Sequence, residues 1–385
     1  MRTNEADLLV VGAGILGLAH AAIALSTGRR VIVLDRSSRP VGASIRNFGM
    51  VWPIGQTDGA ALDRALRSRA RWLEFARLAG FWAETVGSLH IARREDELAV
   101  LQEFCDAAVC DRTVDLLDPA AARERCPALR ADGLLGAMWS PSELVVDARE
   151  AVQRLFEWVA EQPNAELHAG VHAVEASPGI VRTADGSAFE ADAVVCCPGD
   201  DTRSLFPEFL AELAVKRCKL QMMRTGPQPD GWRLGPHLAS GLTLRHYASF
   251  EPCRSLAVLK ERVAREIPEY DRYGIHVMAS QNAVGEVVIG DSHEYADDFG
   301  PGLDAEIDRL ILGYLREMID IPDPAIAERW YGTYLKSMTP EASAVETPCE
   351  GVRVVTGVGG AGMTLSFGLA EEVLVGLGLT ESTMV

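Results

Sequence analysis

The chain is 385 residues long, 48% hydrophobic and 24% charged, which excludes disorder as its organising theme and leaves room for two or three folded domains. Lys and Arg number 37 against 55 Asp and Glu, a formal net charge of −18. That balance excludes nucleic acid and anionic membrane as principal partners, because phosphate surfaces select clustered Lys and Arg. A small anion held in a locally positive pocket stays open.

Leu8 to Val11 is an apolar run of the kind buried on both faces of a parallel sheet. It leads directly into Gly12-Ala13-Gly14-Ile15-Leu16-Gly17, and helical residues follow through Leu25. This is G-x-G-x-x-G between a strand and a helix. Gly12 permits the tight turn, Gly14 clears the path of a pyrophosphate, and Gly17 lets helix and strand pack closely. First-turn N–H groups and the helix dipole then face the phosphates. A second short strand, Val31 to Asp35, ends in an acid about 20 residues beyond Gly14, where a carboxylate meets a ribose diol and repels a 2′-phosphate. The motif predicts an ADP-containing dinucleotide and does not by itself choose FAD over NAD. The stretch Leu8 to Leu25 is long enough for a bilayer. Its three glycines and the strand that follows Gly28-Arg29-Arg30 argue against a membrane span.

Further along, helices are expected over 60–79, 95–109 and 119–126, the last opening at Asp118-Pro119, and from Asp147 to about Ala160. Short strands are expected between Ala165 and Ala193, with turns at Pro178-Gly179 and Asp185-Gly186. A buried strand runs to Pro198-Gly199. From Lys216 to Tyr334 the pattern is mostly strand: Cys218 to Arg224, Leu242 to Phe250, Gly274 to Ser280 and Glu286 to Gly290, interrupted by a helix over Asp304 to Met318. Gly351 to Gly357 reads as a strand, followed by a second glycine loop and a helix through Leu377. Both chain ends therefore contribute to one nucleotide domain.

The expected fold class is α/β: a discontinuous Rossmann-type domain over residues 1–85, 145–215 and 335–385, plus a β-rich α+β substrate-binding domain over 86–144 and 216–334. The eight cysteines include no C-x-x-C pair, and MRTNEAD carries acids where a secretion signal is basic. Both point to a reducing, cytoplasmic setting. His168 and His172 stand four apart in alternating β pattern, which argues against a metal pair, and no metal site is expected.

The sequence resembles the FAD-dependent oxidoreductases of the D-amino-acid oxidase, glycine oxidase and sarcosine oxidase superfamily over nearly its whole length. The resemblance rests on Gly12 to Gly17 with Asp35, Gly42-Ala43-Ser44 leading to Asn47-Phe48-Gly49, the strand to Pro198-Gly199, Gly290-Asp291-Ser292, and Gly357 to Gly368. The run Gly42 to Trp52 is similar to a subgroup associated with aminophosphonate breakdown.

The resemblance implies FAD at Gly12, Gly14, Ile15, Leu16 and Gly17, with Asp35 and Arg36 on the ribose side. Ser44, Arg46, Asn47, Phe48 and Gly49 would lie along the isoalloxazine ring, and Val171 near adenine. Pro198 and Gly199 would close the strand end. Gly357, Gly359, Gly360, Gly362, Met363 and Thr364 would meet the pyrimidine edge. It also implies oxidation of a C–N bond to an imine, with oxygen or another acceptor taking the electrons. The flavin-linking cysteine of sarcosine oxidases would fall near Tyr334, before Thr339-Pro340-Glu341, and no cysteine lies between Cys253 and Cys349, so FAD is expected to be non-covalent. The substrate-binding arginine after Trp-x-Gly is missing from Trp330-Tyr331-Gly332-Thr333-Tyr334-Leu335-Lys336. Lys336, Tyr334 and His246, with His276 and Arg245, are the candidates to cradle a small amine's carboxylate or phosphonate. An FAD-dependent 2-hydroxy-acid dehydrogenase and a non-catalytic flavin-binding protein are the alternative functions.

Overall fold

The computed structural model describes residues 6–108, 112–338 and 344–381. Its first sheet has eight strands. The parallel part runs in the order Ala165–Ala169, Val31–Asp35, Ala6–Val11, Ala188–Cys196, Val352–Val355. A hairpin of Ala173–Ser177 and Ile180–Thr183 adds to the start of Ala188–Cys196 in antiparallel sense. Strands buried on both faces need helices above and below. On one face the helix Ile15–Ser26 packs with Ala148–Glu161 and the last helix, Gly362–Gly376. Trp72 and Phe75, from Ala60–Ala79, pack there against Phe367, the Phe75 and Phe367 rings stacking at 5.0 Å.

The second sheet has nine strands, drawn from residues 88–140 and 215–337. Its spine is the long antiparallel pair Val215–Pro227 and Ile326–Ser337, whose register pairs Lys216 with Lys336 and Cys218 with Tyr334. Val215–Pro227 also pairs with Glu286–Gly290, which pairs with Met278–Gln281. The helix Ala305–Met318, capped by Asp304, packs on this sheet with Ile307, Leu310, Ile311 and Leu315. A small three-stranded sheet of Met50–Val51, Ala83–Thr85 and Leu144–Val146 completes the set.

Several expected elements change. Leu242 to Phe250 is not a strand but two 3₁₀ turns, Gly241–Arg245 and Ala248–Phe250. Alternating Leu242 and Leu244 mimic a strand's period, but bonds from the amides of Thr243, His246 and Phe250 to the carbonyls three residues back close local turns instead. Arg245 and His246 therefore lie at the end of a 3₁₀ turn and do not alternate across a sheet. The strand expected from Gly274 begins at Met278. Two helices, Leu256–Glu266 and Pro268–Arg272, were not expected and lie between the named strands. Thr339, Pro340 and Glu341 lie outside the described residues.

Candidate active site

The glycine turn sits at the carboxyl end of the parallel strands, where open α/β sheets take ligands. Gly12 has φ +101°, and a Cβ there would run into the Cys197 carbonyl. A Cβ on Gly17 would overlap the Gly12 carbonyl, so helix and turn approach backbone to backbone. Asp35 braces this turn: one carboxylate oxygen accepts from the Ala13 amide at 2.6 Å and the other from Ser37 at 2.7 Å. The Ile15–Ser26 helix carries no acid in its first turn, leaving its positive end for an anion. The Ile15 amide donates to Ser44 Oγ at 2.9 Å, which joins this helix to the segment expected along the flavin. The Val171 amide donates to the Asp35 carbonyl, and Thr356 Oγ1 donates to the Gly199 carbonyl, so the Val171, Pro198-Gly199 and Gly357 segments share the same sheet edge. Arg36 is engaged with Asp201 at 2.5 Å, bracing the loop after Gly199.

From Gly42 the chain makes a 3₁₀ turn, Ala43–Ile45, then the strand Met50–Val51. Asn47 holds it in shape: its amide donates to the Ala43 and Ser44 carbonyls, and its oxygen accepts from Gly49. Arg46 and Phe48 reach the substrate sheet. A Cβ on Gly332 would stand 3.2 Å from the Arg46 carbonyl, and one on Gly290 the same distance from the Phe48 ring. The Trp52 amide donates to Thr364 Oγ1 at 2.9 Å, tying the segment to the last helix.

The second glycine loop meets the substrate sheet at two candidate residues. Lys336 pairs with Val358 across an isolated antiparallel bridge, and the Ser337 amide donates to Gly357. Gly359 has φ +60°, and its Cβ position lies 3.3 Å from Lys336 Cγ. The Cβ position of Gly360 lies 3.5 Å from Tyr334 Oη. Lys336 Nζ is 3.2 Å from Tyr295 Oη. The helix beginning at Gly362 and Met363 again lacks an acid in its first turn.

Beyond Lys336 the structure gathers three histidines. His246 and His276 were expected in the substrate site; His293 and Asp291 were missed. The Gly290-Asp291-Ser292 motif was the signal available, since His293 follows it directly. The His246 and His276 rings stack at 4.2 Å, and His293 lies 5.2 Å from the first and 5.0 Å from the second. One nitrogen from each ring lies within 4.8 Å of the others. No metal centre was expected, yet this is a group of metal-ligand type; His168 and His172 do not join it. Arg245 turns instead to Asp271 and to the Ile275 carbonyl.

Burial holds the His246 pKa well below the ordinary histidine value, and His276, His293, Arg245 and Lys336 reinforce this. Burial brings His293 down to about 4, against the opposing pull of Asp291. Burial would raise Asp291, but His276 and His293 outweigh it and keep the carboxyl below its usual range. Burial also raises Tyr334, which stays a neutral phenol at neutral pH. The site thus offers the neutral imidazoles of His246 and His293, the Tyr334 phenol and Lys336 beside a glycine loop. Two glycine-lined turns, two helix starts without acids and a carboxylate at the first turn fit the pyrophosphate, flavin and ribose of FAD.

A family model described as FAD dependent oxidoreductase matches residues 7–374. Among solved structures, the glycine oxidase of Geobacillus kaustophilus superposes with a TM-score of 0.77 at 20% identity, covering 100% of this chain and 97% of that one. An iminodiacetate oxidase of Chelativorans sp. BNC1 gives 0.70 at 19%, covering 98% and 96%. An L-α-glycerophosphate oxidase of Mycoplasma pneumoniae with FAD bound gives 0.72 at 14%, covering 97% and 94%. At these identities the likeness to the solved structures is one of fold.

Proposed function

The chain belongs to the family of FAD-dependent oxidoreductases, and from that premise we propose that it oxidises the C–N bond of a small amine bearing an anionic group. The product is an imine, which water hydrolyses to a carbonyl compound and an amine. Bound FAD supplies the redox chemistry by accepting a hydride equivalent from the carbon that carries nitrogen. The chain binds and orients the substrate, and oxygen is the proposed final acceptor. The finer proposal for the substrate is an aminophosphonate or an N-methylated amino compound, acted on in the cytoplasm.

One observation carries this reading. Lys336 bridges to Val358 with its stem against Gly359, which brings a cation to the rim of the glycine loop. No arginine follows Trp330-Tyr331-Gly332, so a point charge replaces a planar fork. An ammonium suits a tetrahedral anion, whereas a bidentate guanidinium suits a carboxylate. Tyr334, neutral and beside Gly360, supplies a hydrogen-bond donor. Neutral His246 and His293 suit a reaction whose amine must lose its proton before hydride leaves.

His276, set against Asp291 at 2.9 Å, favours a second reading. A histidine oriented by a carboxylate is the base that oxidation of a 2-hydroxy acid uses. The test is to mix the oxidised yellow protein, without oxygen, with amines and with hydroxy acids and to follow flavin bleaching. Bleaching by amines alone supports the proposal; bleaching by hydroxy acids alone replaces it. If neither class bleaches the flavin, a non-catalytic flavin protein becomes the better reading.

A further inference from the structure

We propose that His246, His276 and His293 form a three-histidine seat for a divalent transition-metal ion of the zinc class, its fourth position left for a small ligand. The inference goes beyond the proposed reaction and does not rest on it.

Three separate segments bring the imidazoles together. His246 ends the 3₁₀ turn Gly241–Arg245, His276 precedes the strand Met278–Gln281, and His293 precedes the strand Glu294–Tyr295. Backbone bonds fix two of these points: His276 and Asp291 exchange amide bonds, and the His293 amide donates to the Tyr273 carbonyl at 2.8 Å. One nitrogen from each ring lies within 4.8 Å of the others. Three imidazoles on one tetrahedral ion, each bonded through nitrogen at about 2 Å, keep their ring centres about 5 Å apart. His293 already stands 5.2 Å from His246 and 5.0 Å from His276. The 4.2 Å between His246 and His276 has to open by about one ångström, with the two rings turning off their stack to share an ion. His246, half-buried at the end of a turn, is the ring placed to make that movement.

The free nitrogens are a second, independent observation. His293 Nδ1 lies 3.2 Å from the Gly274 carbonyl, which leaves Nε2 to meet an ion. His276 is only 3% exposed, and its Nε2 faces Asp291 Oδ1 at 2.9 Å. Its Nδ1 is buried with no hydrogen-bond partner among the described residues, and so is His246 Nε2. A carbonyl or a carboxylate beside the far nitrogen is the arrangement that orients metal-bound histidines. Asp291 Oδ1 also lacks an aligned donor. Buried lone pairs left this way are costly, and an ion that draws the rings into line answers them together.

The donor set selects the ion. Imidazole nitrogens suit zinc, copper, nickel and iron, whereas magnesium and calcium take oxygen ligands. Fixed charges around the trio offset one another: Asp291 stands against Lys336, and Arg245 is tied to Asp271. Three neutral imidazoles leave both charges of the ion unanswered, so the fourth position favours hydroxide or an anionic oxygen of a small molecule. Three protein ligands with one open position is the pattern of reactive zinc sites rather than structural ones. His246 and His293 are half-buried, so an ion has an approach. Once seated, it takes the lone pairs that these two histidines otherwise offer a substrate amine.

The experiment uses the tag-free, FAD-loaded protein, stripped with EDTA, dialysed and titrated with zinc chloride. The expected result is about one zinc per chain at micromolar Kd or tighter, with no saturable binding of magnesium chloride. His246→Gln and His293→Gln should each weaken zinc about a hundredfold or more, and Asp291→Asn about tenfold. His168→Gln, at a histidine outside the trio, should bind zinc as the unaltered protein does. Zinc-edge X-ray absorption on the unaltered protein should count three imidazole ligands, and it decides alone if the variants fail to retain FAD. Absence of zinc binding overturns the proposal. So does binding undiminished in His293→Gln, or a spectrum without the three imidazoles. Zinc should also slow flavin bleaching by an amine, and EDTA should restore it. Zinc that binds with three imidazoles yet leaves bleaching unmoved upholds the seat and takes the proton-accepting role from these histidines. Bleaching by amines in a protein that binds no zinc sinks the seat and leaves amine oxidation standing.

Discussion

His276 and Asp291 face each other twice. The amide of each donates to the carbonyl of the other, at 3.2 and 2.9 Å, and the His276 Nε2 lies 2.9 Å from Asp291 Oδ1. Asp291→Asn keeps the shape and removes the charge. We expect kcat/KM for an anionic amine to fall about tenfold or more, the scale of a hydrogen bond to a charged group. The acid limb of the pH–rate profile should move to lower pH, because the Asp291 charge holds the His293 pKa up against its burial. A drop in Tm with the profile unmoved would assign Asp291 a purely structural role.

Lys336→Met tests the cation at the glycine loop. The stem that packs on Gly359 is kept and the charge is lost. The expected outcome is a KM raised about tenfold for an anionic amine, with kcat changed much less. An uncharged amine of the same size should show no such rise. Equal effects on both amines would rule out the anion assignment.

Gly17→Ala tests the phosphate turn. Its methyl would overlap the Gly12 carbonyl and push helix from strand. The variant should purify with far less FAD, read as the ratio of flavin to protein absorbance. Gly376→Ala, where nothing lies within 4 Å of the added methyl, is the control and should stay yellow. An equally yellow Gly17→Ala would remove the turn from the cofactor site.

Acid stability is set by buried neutral histidines. Burial lowers His20 to about 4, His90 to about 3 and His237 to about 4, partly opposed at His20 and His237 by the Leu16 and Leu144 carbonyls. Each folded value lies below the unfolded one near 6.5, so the unfolded chain binds more protons on acidification. The stability these groups allow is complete above about pH 6.5 and declines as pH falls toward the folded values. His90, with neither ring nitrogen bonded, packs between Trp52 and Phe250. His90→Leu should leave Tm near neutrality little changed and flatten its fall toward pH 4. An unchanged slope would move the acid sensitivity elsewhere.

The parts legible in the sequence are those where one residue type has one physical reason. Gly12 and Gly17 were readable because a Cβ at either place collides with backbone, and Asp147 and Asp304 because their carboxylates cap helices. The histidine trio was not readable. His246, His276 and His293 come from a turn and two strand ends that only the sheet brings together, and no local period encodes that. Leu242 and Leu244 misled because both are buried in a 3₁₀ turn, where alternation carries no strand meaning. Asn47 shows a different gap: its place in the flavin segment suggested ring contact, yet its amide groups are engaged in shaping the turn.

The strand Val352–Val355 pairs with Ala188–Cys196, and Arg29 Nε, just past the first helix, donates to the Leu379 carbonyl at 2.7 Å. A ribosome therefore delivers the Gly12–Gly17 turn more than three hundred residues before the last strand of its sheet. A product truncated before Gly351 would lack both the sheet's last parallel strand and the loop that meets Lys336.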